Sequence, residues 1–317
     1  MTRYVGVRLL QAIVVIFIVV LIVFFLLHRI PGGPARGILG QQATQQQIDD
    51  FNHAQGFDLP LPVQFGRYLG QMVTGDFGDS YVENQRVGDL VADRLPKTLV
   101  LTGLATLLAL LVAVPLGVFQ AVRRGRASDH VLSMVNFVLY STPVFFLGFV
   151  LIIVFAQRIP LFSAQAPQGG TLVEILSDPR GLALPVITAA AGMIAVFSRY
   201  LRSSVIDNLH EDFVRTARAK GASEPYLLRK HVLRNSLTAI VSMIGYYIPV
   251  AFGGALVVEQ MFNYPGMGLL FWNAAQRSDF PVLLGVVFVI AVATVLGSLL
   301  ADIAQRLIDP RTRKVTP

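Results

Sequence analysis

The run Asp212-Phe213-Val214-Arg215-Thr216-Ala217-Arg218-Ala219-Lys220-Gly221, followed by Ser223-Glu224-Pro225-Tyr226-Leu227-Leu228-Arg229-Lys230-His231-Val232-Leu233-Arg234-Asn235, lies between two long apolar stretches. Its charge density keeps it out of hydrocarbon. Its pattern is nonetheless ordered: two short helices hinged on Gly221. Asp207, Glu211 and Asp212 precede the first helix and suit its positive end, while Arg218 and Lys220 suit its negative end. Gly221 supplies backbone freedom for a sharp turn. Ser223 is placed to cap the second helix, with Pro225 in its first turn. The small residues Ala217, Ala219, Gly221 and Ala222 leave room for a partner surface to approach. Two readings stand: a solvated basic loop that follows the charge bias of membrane proteins, or an element that a soluble partner grips from one membrane face.

The rest of the chain supports a membrane setting. Of its 317 residues 54% are hydrophobic and only 14% charged, against about 25% charged in ordinary soluble domains. A spanning helix needs about 20 mostly apolar residues. Runs of that kind fall near 9–28, 98–119, 131–156, 183–200, 239–258 and 281–301. This predicts an all-α integral membrane fold of six spans as one domain over 1–317. The fourth run is the weakest, because Pro185 and Gly192 interrupt it. The first has a basic flank (Arg3, Arg8) like a signal peptide, but its apolar core from Leu9 to Leu27 is longer than such peptides carry, and no small-residue cleavage site follows. It reads as an uncleaved span.

The net charge of +7 follows topology and does not indicate nucleic acid. With both termini cytoplasmic, the inner segments hold seventeen Lys and Arg, and the short outer loops hold only Arg158, Arg180 and Arg277. The outer segment 29–97 is too long to count under that rule. It opens on Pro31-Gly32-Gly33-Pro34 and passes a Gln-rich stretch from Gln41 to Gln47. Phe65, Tyr68, Leu69, Met72 and Val73 then recur at helical spacing and predict an amphipathic helix. A turn, Gly75-Asp76-Phe77-Gly78-Asp79-Ser80, follows. The segment is not expected to carry a core of its own.

Catalytic patterns are missing. There is no Gly-Lys-Ser/Thr phosphate loop, no His-Glu-x-x-His zinc pair and no Gly-x-Ser-x-Gly elbow. The chain has no cysteine, hence no disulfide, thiolate metal site or cysteine nucleophile. His28, His53, His130, His210 and His231 form no ligand-spaced cluster. A non-catalytic chain without cofactor or metal is expected.

Several residues are candidates for a pathway or gate. Glu259 ends an apolar span, where an ionisable group marks a pathway or a specific pairing; the plainer reading leaves it solvated at the interface. Pro265, Gly266 and Gly268 make irregular backbone beyond it. Asn136 and Tyr140 lie one turn apart and share a helix face. Tyr246, Tyr247 and Pro249 either line a cavity or pack. Ser141-Thr142-Pro143 reads as a distortion within the third span, its hydroxyls able to face a polar path.

Gly221, with Ala217 four residues before it and Leu233 twelve after it, resembles the EAA loop of ABC importer permeases. In that family this loop forms coupling helices that dock into a cleft of the cytoplasmic ATPase. Arg215 and Thr216 stand where the general motif has Glu and Ala, and His231 and Arg234 where it has Ile and Pro. The string from Val214 to Gly221 with His231-Val232-Leu233-Arg234-Asn235 is similar to the variant of the dipeptide/oligopeptide/nickel branch. Glu259-Gln260-Met261-Phe262-Asn263-Tyr264-Pro265-Gly266-Met267-Gly268, with Asp279-Phe280-Pro281 and Gly285, is similar to the segment before the last span there. Phe57-Asp58-Leu59-Pro60-Leu61-Pro62, Gly75 to Ser80 and Arg94-Leu95-Pro96 resemble the first-loop signature of the B-type subunit, and Asp309-Pro310-Arg311 the family's ending. The resemblance implies a type I transmembrane domain with coupling loop 201–238, whose contacts to the ATPase fall on Arg215, Ala217, Arg218, Lys220, Gly221, Arg229, His231, Arg234 and Asn235. It also implies a second permease, two ATP-binding subunits that hold ATP and magnesium, an extracytoplasmic binding protein, a peptide cargo and a bacterial inner membrane. Nickel chelates or glutathione are alternative cargoes; an intramembrane enzyme or channel lacks the paired groups or filter it would need.

Overall fold

The computed structural model describes residues 2–29, 33–40 and 42–308. The side chains of some helical positions, Tyr246 and Pro249 among them, lie outside the description, as do Pro31, Gly32, Gln41 and the Asp309-Pro310-Arg311 ending. In chain order the helices are α1 (Thr2–His28), α2 (Gly33–Leu39), α3 (Gln45–Gln55), α4 (Leu61–Thr74), α5 (Val87–Val122), α6 (Ala127–Ser141), α7 (Val144–Ile152), α8 (Leu172–Ser177), α9 (Pro179–Leu209), α10 (Asp212–Ala219), α11 (Glu224–Leu227), α12 (Leu233–Phe262), α13 (Met267–Gln276) and α14 (Phe280–Ile308). Among the described residues the only extended pairing is one bridge, Asp79 with Arg86.

Four helices are long and apolar enough to cross a membrane among the described residues: Gly6–His28, Val87–Val122, Pro179–Leu209 and Phe280–Ile303. The segments Ala127–Ser141 and Val144–Arg158 make a fifth if counted as one bent span. This is a multi-pass membrane protein. The run 239–258 falls inside α12.

The third run is distorted where Ser141-Thr142-Pro143 predicts it. It breaks at Ser141–Pro143 with a bend of 104°. Pro143 has no N–H to donate and disfavours helix in the residue before it, and Thr142 is accordingly extended (φ −78°, ψ 125°). The Val138 carbonyl keeps its helical bond from the Thr142 amide at 3.0 Å and also accepts from the Thr142 hydroxyl at 2.7 Å and the Ser141 hydroxyl at 3.2 Å. A turn of wider, π-type helix, Ile153–Arg158, ends α7.

The chain forms two compact units, Met1–Thr98 with Pro265–Leu296, and Leu99–Tyr264 with Gly297–Pro317. In the first, residues of the long loop share a core with α1, α13 and α14. Phe24 and Leu27 of α1 bury with Val87, Leu90 and Val91, with Met267 and Ala274 of α13, and with Phe280 and Val282 to Val286 of α14. The amphipathic helix lies where the periodicity places it, in α4: Phe65 and Tyr68 set their rings 5.2 Å and 6.3 Å from Phe24. Gln64 is buried because its amide donates to the carbonyls of Phe57 and Leu59 and its oxygen meets His28 Nε2 at 2.8 Å. Thr44 and Gln47 form a capping box on α3.

The first unit also joins two of the signature stretches. Asp279 accepts from the Ser80 hydroxyl at 2.5 Å and from the amides of Tyr81 and Val82 at 3.3 Å and 3.4 Å. Both side chains are nearly inaccessible, Ser80 at 3% and Asp279 at 2%. Gly75 and Gly78, at φ 75° and 74°, turn the chain into this contact. Asp279→Ala leaves these donors unsatisfied and is expected to cost about 1–3 kcal/mol. Faster proteolysis within residues 76–86 on the intact chain is the readout.

The second unit is organised on α9. This helix runs unbroken through Pro185 and Gly192, and 67% of its most apolar 18-residue stretch is buried, against 17% for α1. Its composition is weak in large apolar residues because its neighbours approach closely. A Cβ at Gly117 would stand 2.8 Å from the Ser198 carbonyl oxygen and 3.0 Å from Leu201 Cβ. Gly117→Val therefore meets backbone that cannot give way, and is expected to destabilise the unit by about 1–3 kcal/mol, seen as a lowered thermal unfolding temperature in detergent. Gly148 faces the flexible Met261 side chain instead, so Gly148→Ala is expected to be far milder.

Candidate functional site

The element that follows α9 is built as an amphipathic clasp. Val214 on α10 is fully buried and Ala217, one turn on, is half-buried; Asp212, Phe213, Arg215, Thr216, Arg218, Ala219 and Lys220 are exposed. That is the three-residue spacing of one inward stripe on a single helical face. Val214, Leu227 and Val232, each 0% exposed, join Leu201 and Val205 of α9 in one cluster with Phe197 and Ile240. The element is thus bonded to the helix bundle through its apolar side and shows its basic and aromatic side to the exterior.

Gly221 sits at φ +85° with nothing within 4 Å of where a Cβ would be. The turn needs its conformation, not its small size. Arg218 lies in the last turn of α10, as expected, and its Nε and Nη2 fork onto the Glu224 carboxylate at 2.6 Å and 3.1 Å across the turn. This hydrogen-bonded guanidinium holds the Glu224 carboxyl below the usual carboxylate range. Ser223 occupies the cap position of α11 with extended backbone, but its side chain makes no capping bond.

Two expectations need correction. The second helix is not a separate short one: α11 continues through a π-type turn, Leu228–Val232, directly into α12. One continuous helical element therefore carries Arg229, His231, Arg234 and Asn235 into the bundle. Ala217 and Ala222 are half-buried and pack against the unit's own core, so part of their surface is already used inside the chain; Ala219 and Gly221 are the exposed ones.

The remaining predicted residues of the element separate by face. Arg215, Arg229, Arg234 and Asn235 are exposed, and His231 is half-buried with its ring 5.8 Å from that of Tyr226. Phe213 and Tyr226 add exposed aromatic surface at 36% and 51%. Asn208 at the end of α9 donates to the Ser204 carbonyl at 2.8 Å and the buried Ser236 hydroxyl at 3.2 Å. That bond pins the base of α12 to α9.

Inside the bundle, Asn136 and Tyr140 share a face but not an environment. Asn136 is 7% exposed and its amide nitrogen donates to Ser198 Oγ at 2.9 Å and Gln120 Oε1 at 3.3 Å. Tyr140 is 57% exposed. About two turns of α6 before Asn136, Asp129 accepts from Arg202 Nε and Nη2, both at 2.8 Å, and from the Gly125 amide at 3.0 Å. Sequence reading missed Gln120, Asp129, Ser198 and Arg202 as a group. Gln120 just past one apolar run and Ser198 inside another were the available signal, but they lie 16 and 62 residues from Asn136.

At the α6–α7 break lies a cavity of about 250 Å³. Its walls are apolar (Leu101, Leu147, Met193), interrupted by the hydroxyl residues Thr102, Thr142, Thr188, Tyr140 and Tyr247. Thr142 and Val144 both line it, although a straight helix would carry them on different sides.

Glu259 is fully buried, which overturns the reading of it as solvated at an interface. Its carbonyl accepts from Tyr264 at 2.7 Å where Asn263 (φ 52°) closes α12 in a left-handed conformation. The Ala166 amide and the Gln168 side chain satisfy the carbonyls of Phe262 and Asn263, each at 2.8 Å. In the other unit, Pro265 and Gly266 are buried ahead of α13, whose first amide, of Met267, bonds Thr98 Oγ1 at 2.8 Å. Tyr246 lies outside the described side chains. Among the described residues no group of three metal-ligating side chains converges.

Residues 113–314 match the family described as binding-protein-dependent transport system inner membrane component, and residues 1–102 match the N-terminal part of such membrane components. The chain is 37% identical over 321 residues to a protein of Brucella ovis named as a peptide permease, with 99% of each chain covered. It is 36% identical over 317 residues to the oligopeptide transport system permease protein AppB of Bacillus subtilis, covering 98% of this chain and 99% of that one. It is 36% identical over 314 residues to the glutathione transport system permease protein GsiC of Escherichia coli K12, with 99% of each covered.

Proposed function

Because this chain belongs to the family of binding-protein-dependent transport system inner membrane components, we propose that it forms half of the translocation pathway of an ATP-driven importer of di- or oligopeptides, with residues 201–238 as the element an ATPase subunit grips. The observation that carries this reading is the two-sidedness of α10–α11. Its buried side shares one core with α9 while Arg215, Lys220, Phe213 and Tyr226 face outward. A force applied to the outer side reaches the spans without an intervening flexible link.

In this reading the whole chain acts as one six-span domain, with α6–α7 as one bent span and α12 as another, and both termini cytoplasmic in a bacterial inner membrane. A homologous permease pairs with it around the pathway. An external binding protein delivers cargo, and two ATP-binding subunits hold ATP and magnesium. Their closure moves the clasp, and alternating access follows. The chain itself is non-catalytic. The cavity at the α6–α7 break suits a peptide, offering apolar walls for side chains and hydroxyls for the backbone. Asn136, Tyr140, Tyr246, Glu259, Pro265 and Gly266 are the pathway and gate candidates.

Glutathione is a second reading, favoured by the likeness to the E. coli glutathione permease protein. Vesicles holding the complete importer with its binding protein test both. ATP-dependent accumulation of trialanine above that of glutathione is expected; accumulation of glutathione alone would replace the peptide reading, and accumulation of neither would overturn the import of peptides.

A further inference from the structure

A second cavity of about 250 Å³ lies farther along α9, lined by Gln120, Ser133, Asn136, Tyr140, Arg199 and Arg202 among others. It differs from the first in charge. Arg202 is neutralised by Asp129, whereas among the described residues no carboxylate lies within ion-pair reach of Arg199. Arg199, exposed at the rim of the chamber, is instead folded over Tyr140, its guanidinium carbon 5.3 Å from the ring centre, and 5.9 Å from that of Tyr200. A ring face steadies a cation without cancelling its charge, and the N–H groups at the guanidinium edge stay available. Asn136 spends its amide nitrogen on Ser198 and Gln120, and Gln120 its own on Ser133 at 3.4 Å. The chamber is left with one unneutralised, pre-positioned cation beside a fixed polar floor.

Tyr140 borders both cavities. Arg199 is seven residues beyond Gly192 of the apolar chamber, about 10 Å along the helix. An apolar chamber next to a cationic one matches a molecule with an apolar body and one oxyanion. We propose that Arg199 binds a single oxyanion in this chamber, either the carboxylate of a transported peptide or the phosphate of an anionic phospholipid. The peptide source rests on the transport reading above, and the lipid source does not. A guanidinium donates two parallel bonds to either group.

The experiment uses the complete importer with wild-type chain, Arg199→Gln and Arg199→Lys. In phosphatidylcholine vesicles, uptake of alanyl-phenylalanine is compared with uptake of its C-terminal amide, after correction for the isolated binding protein's own preference. In phosphatidylcholine nanodiscs doped with phosphatidylglycerol, native mass spectrometry counts retained anionic lipid. A carboxylate occupant gives a residual preference for the free acid of roughly ten-fold in the wild type, lost in Arg199→Gln and partly kept in Arg199→Lys. A phosphate occupant gives one retained phosphatidylglycerol that Arg199→Gln loses. Arg199→Gln matching the wild type in both arms overturns the proposal. Uptake of neither peptide by the wild type removes the transport reading and leaves the lipid arm to decide.

Discussion

Gly221→Pro should abolish cargo-stimulated ATP turnover in the assembled importer, with a fall of at least about ten-fold, while membrane insertion and span packing stay intact. The turn holds Gly221 at φ +85°, and proline is locked near −65°. Proline also removes the amide that donates to the Arg218 carbonyl at 3.0 Å. Rebuilding the turn moves α11 relative to α10 and breaks the Arg218–Glu224 fork. Gly221→Ala is the graded control. A Cβ there meets open space, so the cost is only the left-handed backbone, about 1–2 kcal/mol, and turnover should fall by less. Full activity of Gly221→Pro would show that the turn transmits nothing.

Asp129→Ala should give the largest loss of stability. The carboxylate is 3% exposed and holds the Arg202 guanidinium through two bonds of 2.8 Å. Breaking a buried pair from one side leaves the other charge uncompensated, at about 3–5 kcal/mol. Arg202 keeps 29% exposure, so the low end, about 3 kcal/mol, is expected. Loss of the Gly125 amide's acceptor adds to it. The check is thermal unfolding of the purified complex, together with Asp129→Asn/Arg202→Gln, which removes both charges and should recover most of the loss. A single mutant as stable as the wild type would mean the pair is solvated.

The spans were legible wherever apolar length alone decides. Runs 9–28, 98–119 and 281–301 fall inside α1, α5 and α14. Hydropathy misranks α9 for a physical reason: a helix surrounded by protein needs small residues such as Gly192 and its alanines, while a helix facing lipid needs Leu and Ile. Ser141-Thr142-Pro143 was visible as irregular, but the size of the bend depends on what packs beside it. The Gly221 turn was legible because left-handed backbone has a residue preference. The continuity of α11 with α12 was not, because a π-type turn carries no comparable mark. Contacts between distant segments, Asp129 with Arg202 and Ser80 with Asp279, were invisible for the same reason that any single partner of a polar residue is.

The central claim is that the outward side of α10–α11 is where an ATPase docks. The absence of cysteine from the chain makes the test clean. Single cysteines are placed at Arg215→Cys and Tyr226→Cys, exposed on the element, and at Val173→Cys, 78% exposed on α8. Each is treated with a short thiol-to-amine crosslinker in membranes holding the whole importer. The account predicts ATPase adducts from positions 215 and 226 and none from 173. Adducts from 173, or none from 215 and 226, would contradict it.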